Sequence, residues 1–170
     1  MSNEDEASAI PTKILVPVDF SPSSHNALEA ATELAAKFGA KLVLLHVIPE
    51  FVDVLLPETV SQESIVEAQK GAANKLFAVS KGALEAKNIS CTTIVEVGAD
   101  VAATILDVGE REEVDLLVFA THGLSGWYPQ VFGSIAEKLV RLAQCPVWLL
   151  RTPKPESSAK VSIGRMMEWW

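Results

Sequence analysis

Apolar residues along this chain fall into five short, nearly unbroken runs, separated by four longer stretches in which they recur every three or four positions. Short apolar runs bounded by turn-forming residues predict buried strands, and the helical spacing predicts amphipathic helices. The runs are Lys13-Ile-Leu-Val-Pro-Val-Asp19, Lys41 to Ile48, Ile89 to Val97, Val114 to Ala120 and Pro146-Val-Trp-Leu-Leu150. After the first run, Ser21-Pro22 supplies a cap and then a proline at the first helical position. Ala27, Ala31, Leu34, Ala35 and Phe38 follow on one face, and Gly39 ends that helix. A second helix over about 61–87 places Ile65, Ala68, Ala72, Leu76, Val79 and Ala83 together. Val101, Ile105 and Val108 mark a third, and Gly133-Ser134 opens a fourth with Ile135, Leu139 and Leu142 on one side. Residues 49–60, with Pro57, and Thr121 to Phe132 read as irregular connections.

Strands alternating with helices imply an α/β domain built on a parallel sheet, and strands this apolar are covered on both faces. Right-handed crossovers leave few topologies. A doubly wound five-stranded sheet of order 3-2-1-4-5 is expected. In such sheets ligands bind beyond the carboxyl ends of the strands, where the strand order reverses. Here that point lies between the first and fourth strands, at Asp19 and from Ala120 onward.

At 170 residues the chain suits one domain with a sizeable core. Its termini differ from the rest: residues 1–11 are polar and read as a flexible N-terminus, the domain as 12–151, and 152–170 as a C-terminal tail. The tail begins with the linker-like Thr152-Pro-Lys-Pro-Glu-Ser-Ser158 and ends in Met166-Met-Glu-Trp-Trp170. That end reads either as a frayed or self-covering tail or as a docking segment for a partner. The first residues are acidic where a signal peptide would be basic and then apolar, and no stretch reaches the roughly 18–20 apolar residues of a membrane span. A cytoplasmic location is expected. The net charge of −8, with 14 Lys and Arg against 22 Asp and Glu, argues against general binding to nucleic acid or an anionic membrane. Cys91 and Cys145 lack CxxC spacing and read as buried, reduced thiols. His25, His46 and His122 form no i, i+4 pair, so no metal site is expected.

The chemistry concentrates after the fourth strand. Ala120-Thr-His-Gly123 is followed by nine residues and then Gly133-Ser134 at a helix start. Glycines let phosphates approach the backbone, and the free amides and positive end of a helix favour the anion. Ordinary turn chemistry is the alternative for two glycines flanking a loop. Asp19 reads either as a ligand-facing carboxylate or as a cap for the helix beginning near Pro22. Gly123-Leu-Ser-Gly126 misses a nucleophile elbow, because Trp127 stands where a glycine is needed. Neither a Walker A lysine motif nor a strand-linked GxGxxG occurs in the sequence.

The segments Lys13-Ile-Leu-Val-Pro-Val-Asp-Phe-Ser21, Leu44-Leu-His-Val-Ile48, Ala120-Thr-His-Gly123, Gly133-Ser-Ile-Ala-Glu-Lys138 and Cys145-Pro146 together resemble the universal stress protein family over nearly all of residues 12–151. The resemblance implies an adenine nucleotide alpha-hydrolase-like fold and homodimers paired through the last strand, here Val147 to Leu150. It also implies two branches. One binds ATP through Gly, two residues, Gly, nine residues, Gly-Ser/Thr; the other lacks that pattern. On the first, Asp19 and Val47 stand at the adenosine end with Pro17 and Val18 beside them. Phe119, Ala120, His122, Gly123, Gly133, Ser134 and Ile135 complete the site toward the ribose and phosphates.

Two departures bear on this. Ala120 replaces the first glycine, and the loop Leu124 to Phe132 has no Lys or Arg. A triphosphate of roughly four charges then rests on amides, a helix end and a divalent cation such as Mg2+. Trp127, Tyr128 and Pro129 read equally as a lid over the nucleotide or as packing against the domain or a dimer mate. The leading expectation is an ATP-binding, homodimeric stress-response sensor or regulator with slow hydrolysis at most. A second is a family member without nucleotide that acts through its dimer or tail surface. A third is an enzyme on the same scaffold, which requires turnover dependent on a residue such as His122 or Asp19.

Overall fold

The computed structural model describes residues 10–50, 61–121 and 133–151. Nine elements alternate along them: β1 (Lys13–Pro17), α1 (Pro22–Phe38), β2 (Lys41–Pro49), α2 (Gln62–Glu85), β3 (Cys91–Gly98), α3 (Val101–Arg111), β4 (Leu116–Ala120), α4 (Ser134–Leu142) and β5 (Val147–Leu150). The sheet is parallel, in the order β3-β2-β1-β4-β5. The expected doubly wound topology is the one observed. Ser21 caps α1 by accepting from the Ser24 amide at 3.1 Å. Gly39 closes that helix at φ +71°, a left-handed value that a residue without Cβ takes at little cost.

Within the apolar strands, side chains still alternate between faces. Ile14, Val16 and Val18 of the first strand region join Leu42, Leu44 and Val118 under α1 and α2, where Phe77 is the largest filler. Leu15, Val43, Leu45, Val47, Leu117 and Phe119 point the other way, against Ala102, Ile105 and Val108 of α3 and Ala136 and Leu139 of α4. Two cores therefore sandwich the sheet, and neither shows in a hydropathy profile that sees only continuous apolar runs.

The expected helix faces need correction at two places. In α2 the buried positions are Ala73, Phe77, Ser80 and Leu84, one residue on from Ala72, Leu76, Val79 and Ala83; Val79 is 56% exposed. Phe77 anchors the true stripe, and Ser80 is accommodated because its hydroxyl donates to the Leu76 carbonyl. In α4 the small Ala136 lets the helix approach the sheet with Leu139, while Ile135 and Leu142 are exposed. Cys91 and Cys145, expected to be buried, are only half-buried. Burial pushes the Cys91 thiol up to about 11, which keeps it protonated and unreactive.

At the amino end of the sheet, Asp115 joins the starts of β1 and β4. Its carboxylate accepts from the Thr12 amide at 2.8 Å, the Thr12 hydroxyl at 2.6 Å and the Lys13 amide at 3.0 Å. Burial alone would raise its pKa, but the donors from Thr12 and Lys13 together hold it below the ordinary carboxylate value. A lowered native pKa gives stability that is present above the unfolded value, near 3.9, and lost as pH falls through the native one. Asp115→Asn is therefore expected to cost about 1–2 kcal/mol at neutral pH, after allowance for solvent screening. It should also flatten the decline in melting temperature below about pH 4. Thermal melts followed by circular dichroism across that range check both.

Candidate functional site

Beyond the carboxyl ends of β1 and β4 lies a cleft of about 260 Å3. Its floor comes from strand ends. Pro17, Val18 and Asp19 follow β1, Leu45 and Val47 project from β2, and Phe119, Ala120 and Thr121 end β4. Its walls are Val101 and Ile105 of α3 and Gly133, Ser134, Ile135, Ala136 and Leu139 around α4. Nine of the residues expected at the site thus line one cavity: Pro17, Val18, Asp19, Val47, Phe119, Ala120, Gly133, Ser134 and Ile135. His122, Gly123 and the Trp127-Tyr128-Pro129 segment lie outside the described residues, as does the 152–170 tail.

The turn carrying Asp19 is tightly built. Asp19 Oδ1 accepts from the Ser21 amide at 3.1 Å and the Ser21 hydroxyl at 2.6 Å. The cap of α1 is therefore Ser21 and not Asp19, which instead holds that cap residue while lining the cleft. Phe20 between them has φ +60°, a strained value for a bulky side chain. Its ring is held by His46, with centroids 4.7 Å apart, and by Phe77 at 5.4 Å. His46 Nδ1 donates in turn to the Val18 carbonyl at 2.7 Å. Aromatic packing and two sets of hydrogen bonds thus hold Asp19 at the cleft against the local backbone preference.

On the opposite wall, α4 starts without a side-chain cap. The Gly133 amide donates to the Thr121 carbonyl at 3.1 Å, which brings the chain back to the sheet end it left. The amides of Ser134, Ile135 and Ala136 have no intrahelical acceptor, and all three residues line the cleft. A Cβ at residue 133 would stand 3.0 Å from the Thr121 carbonyl oxygen, so a side chain here crowds the close approach of this helix end to the sheet. The cleft therefore pairs an apolar slot, with one carboxylate at its rim, with a helix N-terminus that favours negative charge. Among the described lining residues Asp19 alone is ionisable. No group of three or more His, Cys, Asp or Glu able to hold a metal occurs among the described residues.

Sequence reasoning missed Val101 and Ile105, which reach the cleft because α3 crosses the sheet. Their i, i+4 spacing marks one helix face but not what it meets. Thr121, Ser24 and Leu45 were also missed; Leu45 shares a strand face with Val47 and was accessible on that ground.

The chain was compared with known proteins. The sequence model described as "Universal stress protein family" matches residues 11–151. Universal stress protein YxiE of Bacillus subtilis is 33% identical over 147 residues, covering 82% of this chain and 98% of that protein. Among solved structures, universal stress protein UspA from Lactobacillus plantarum superposes with TM-score 0.74 at 24% identity, covering 82% of this chain and 97% of that one. A universal stress protein in complex with cAMP superposes with TM-score 0.63 at 18% identity, covering 84% and 98%. These structures share the fold.

Proposed function

Since the chain belongs to the universal stress protein family, we propose that the cleft between β1 and β4 binds an adenine nucleotide and that the protein works as a nucleotide-responsive regulator, with hydrolysis slow at most. The observation that carries this reading is the convergence on one cavity of Asp19 and Val47 on the strand side and the Gly133-Ser134-Ile135 helix start on the other. The base and ribose occupy the apolar slot beside Val47, Val101 and Ile105, and Asp19 accepts from a ribose hydroxyl or base amine. Phosphate sits on the amides of residues 134–136, with the Ser134 hydroxyl as a further donor. His122 and Gly123 belong to the same proposal by sequence alone. A neighbour of the same fold is described in complex with cAMP, which supports an adenine nucleotide as the ligand class.

Because the described cleft offers no metal-ligand cluster, Mg2+ enters this reading only as a companion of the phosphates. Calorimetric titration of nucleotide-stripped protein with ATP and AMP, in magnesium and in chelator, is the test. Saturation near one ligand per chain is expected. Absence of heat and of any thermal shift at millimolar nucleotide overturns the reading and leaves the surface as the working part.

The same proposal includes a homodimer paired through β5. That strand is at the sheet edge, with Trp148 42% exposed, and an open apolar edge invites another strand. Light scattering at micromolar concentration is expected to give twice the chain mass.

A further inference from the structure

Lys138 Nζ lies 2.7 Å from Asp100 Oδ2, joining α4 to the N-cap of α3 behind residues that line the cleft. Asp100 is the cap of α3: its Oδ1 accepts from the amides of Ala102 at 3.0 Å and Ala103 at 3.3 Å. Val101, the next residue, lines the cleft. Lys138 stands three and four positions after Ile135 and Ser134, on the same side of α4 as these two lining residues. One carboxylate thus caps one helix and holds the lysine nearest the helix start that faces the cleft. The other charged pair of the helix, Arg141 with Glu137 at 3.9 Å, adds no surplus cation.

We propose that Asp100 and Lys138 set how much phosphate charge the cleft accepts, and that with the pair closed the site favours a nucleoside monophosphate over a triphosphate. The inference rests on the nucleotide reading above. A helix N-terminus supplies about half a positive charge. That offsets a useful part of a monophosphate's roughly two negative charges and little of a triphosphate's roughly four. Asp19 adds negative charge to the lining, and residues 122–132 contribute no Lys or Arg. The ammonium that would balance further phosphate is Lys138, and Asp100 neutralises it. Both side chains are about half exposed, at 54% and 48%, so the pair is weak and its partner exchangeable. The Lys138 hydrogen bond foremost, with the Ala103 and Ala102 amides, holds the Asp100 carboxyl below its ordinary value, so Asp100 is charged at neutral pH.

Asp100→Asn separates the roles, because asparagine is an equally good cap but leaves Lys138 without its counter-charge. Calorimetric titrations with AMP and with ATP, in chelator at low ionic strength, compare the wild type, Asp100→Asn and the double variant Asp100→Asn/Lys138→Gln. The wild type is expected to bind AMP more tightly than ATP. Asp100→Asn is expected to strengthen ATP binding about five- to tenfold and AMP binding about two- to threefold, an effect that shrinks as salt screens it. The double variant is expected to return the ATP to AMP ratio to the wild-type value. Circular dichroism melts within a few degrees of the wild type show that the cap survives. Tighter binding of ATP than AMP by the wild type, an unchanged ratio in Asp100→Asn, or a gain that persists without Lys138 each overturns the inference and leaves the nucleotide site standing. A wild type that binds neither nucleotide removes the site and this inference together.

Discussion

Gly133→Val is expected to weaken adenine-nucleotide binding about 100-fold, which is about 2.7 kcal/mol, while lowering stability by only about 1 kcal/mol. The asymmetry follows from where the clash falls. At residue 133 a Cβ meets the Thr121 carbonyl oxygen at 3.0 Å, which is backbone at the end of β4 and does not swing aside as a side-chain tip would. That Cβ alone asks for a few tenths of an ångström, but the branched bulk of valine beyond it is expected to push the start of α4 off the sheet, so that the Gly133 amide loses its 3.1 Å bond to Thr121. Leu139, further along the helix, is buried in the core and holds the rest of α4 in place. What moves is the set of amides at residues 134–136, whose aim decides whether phosphate finds two or three charge-assisted donors or water. Each such bond contributes about 1.5–3 kcal/mol, so misdirecting one or two accounts for the loss. Gly133→Ala, which asks the neighbouring carbonyl to give by a few tenths of an ångström, is expected to lose less than tenfold. Calorimetric titration together with thermal melts checks both variants. Affinity unchanged in Gly133→Val would mean that the anion does not sit on this helix end.

The strands and their order were legible because a parallel sheet buries both faces and so writes itself as unbroken apolar runs, from Ile14 to Val16 and from Leu42 to Leu45. The switch point followed from that order, and with it Asp19 and Gly133. Helix faces were less legible where alanine dominates. In α2 the stripes through Ala72, Leu76 and Val79 and through Ala73, Phe77 and Ser80 have the same spacing, and hydropathy prefers the first because it counts Ser80 as polar. Packing chooses the second, since only Phe77 reaches both the core under β1 and the ring of Phe20. In α4 the small residue Ala136 faces the sheet precisely where size rather than apolarity decides how near a helix may come. The parts of the cleft contributed by Val101 and Ile105, and the Asp100–Lys138 pair, join residues far apart in sequence. They depend on how α3 and α4 lie together, which no local pattern encodes.

Phe77→Ala is expected to be among the most destabilising single changes in the chain, at about 3–5 kcal/mol, with a fall in melting temperature of about 6–20 °C. Phe77 is 1% exposed, so its removal leaves a cavity between α2 and the sheet that Ser80 and Ala73 on either side are too small to fill. The change also reaches the cleft. Phe77 packs on Phe20, which keeps a left-handed backbone between Asp19 and Ser21 only while its ring is fixed between Phe77 and His46. With one side of that clamp gone, part of the strain at φ +60° is released by movement of the turn, and Asp19 no longer holds one position at the rim of the cleft. Nucleotide affinity is therefore expected to fall about three- to tenfold at a temperature well below the new midpoint, where the fraction unfolded is negligible. Phe77→Leu keeps most of the volume and is expected to restore more of the stability than of the affinity, because a branched aliphatic side chain fills the core but lacks the ring that meets Phe20. Titration at 15 °C beside a thermal melt separates the two effects. A large drop in melting temperature with unchanged affinity would mean that the Ser21 hydrogen bonds alone fix Asp19, and that the aromatic clamp serves the core and not the cleft.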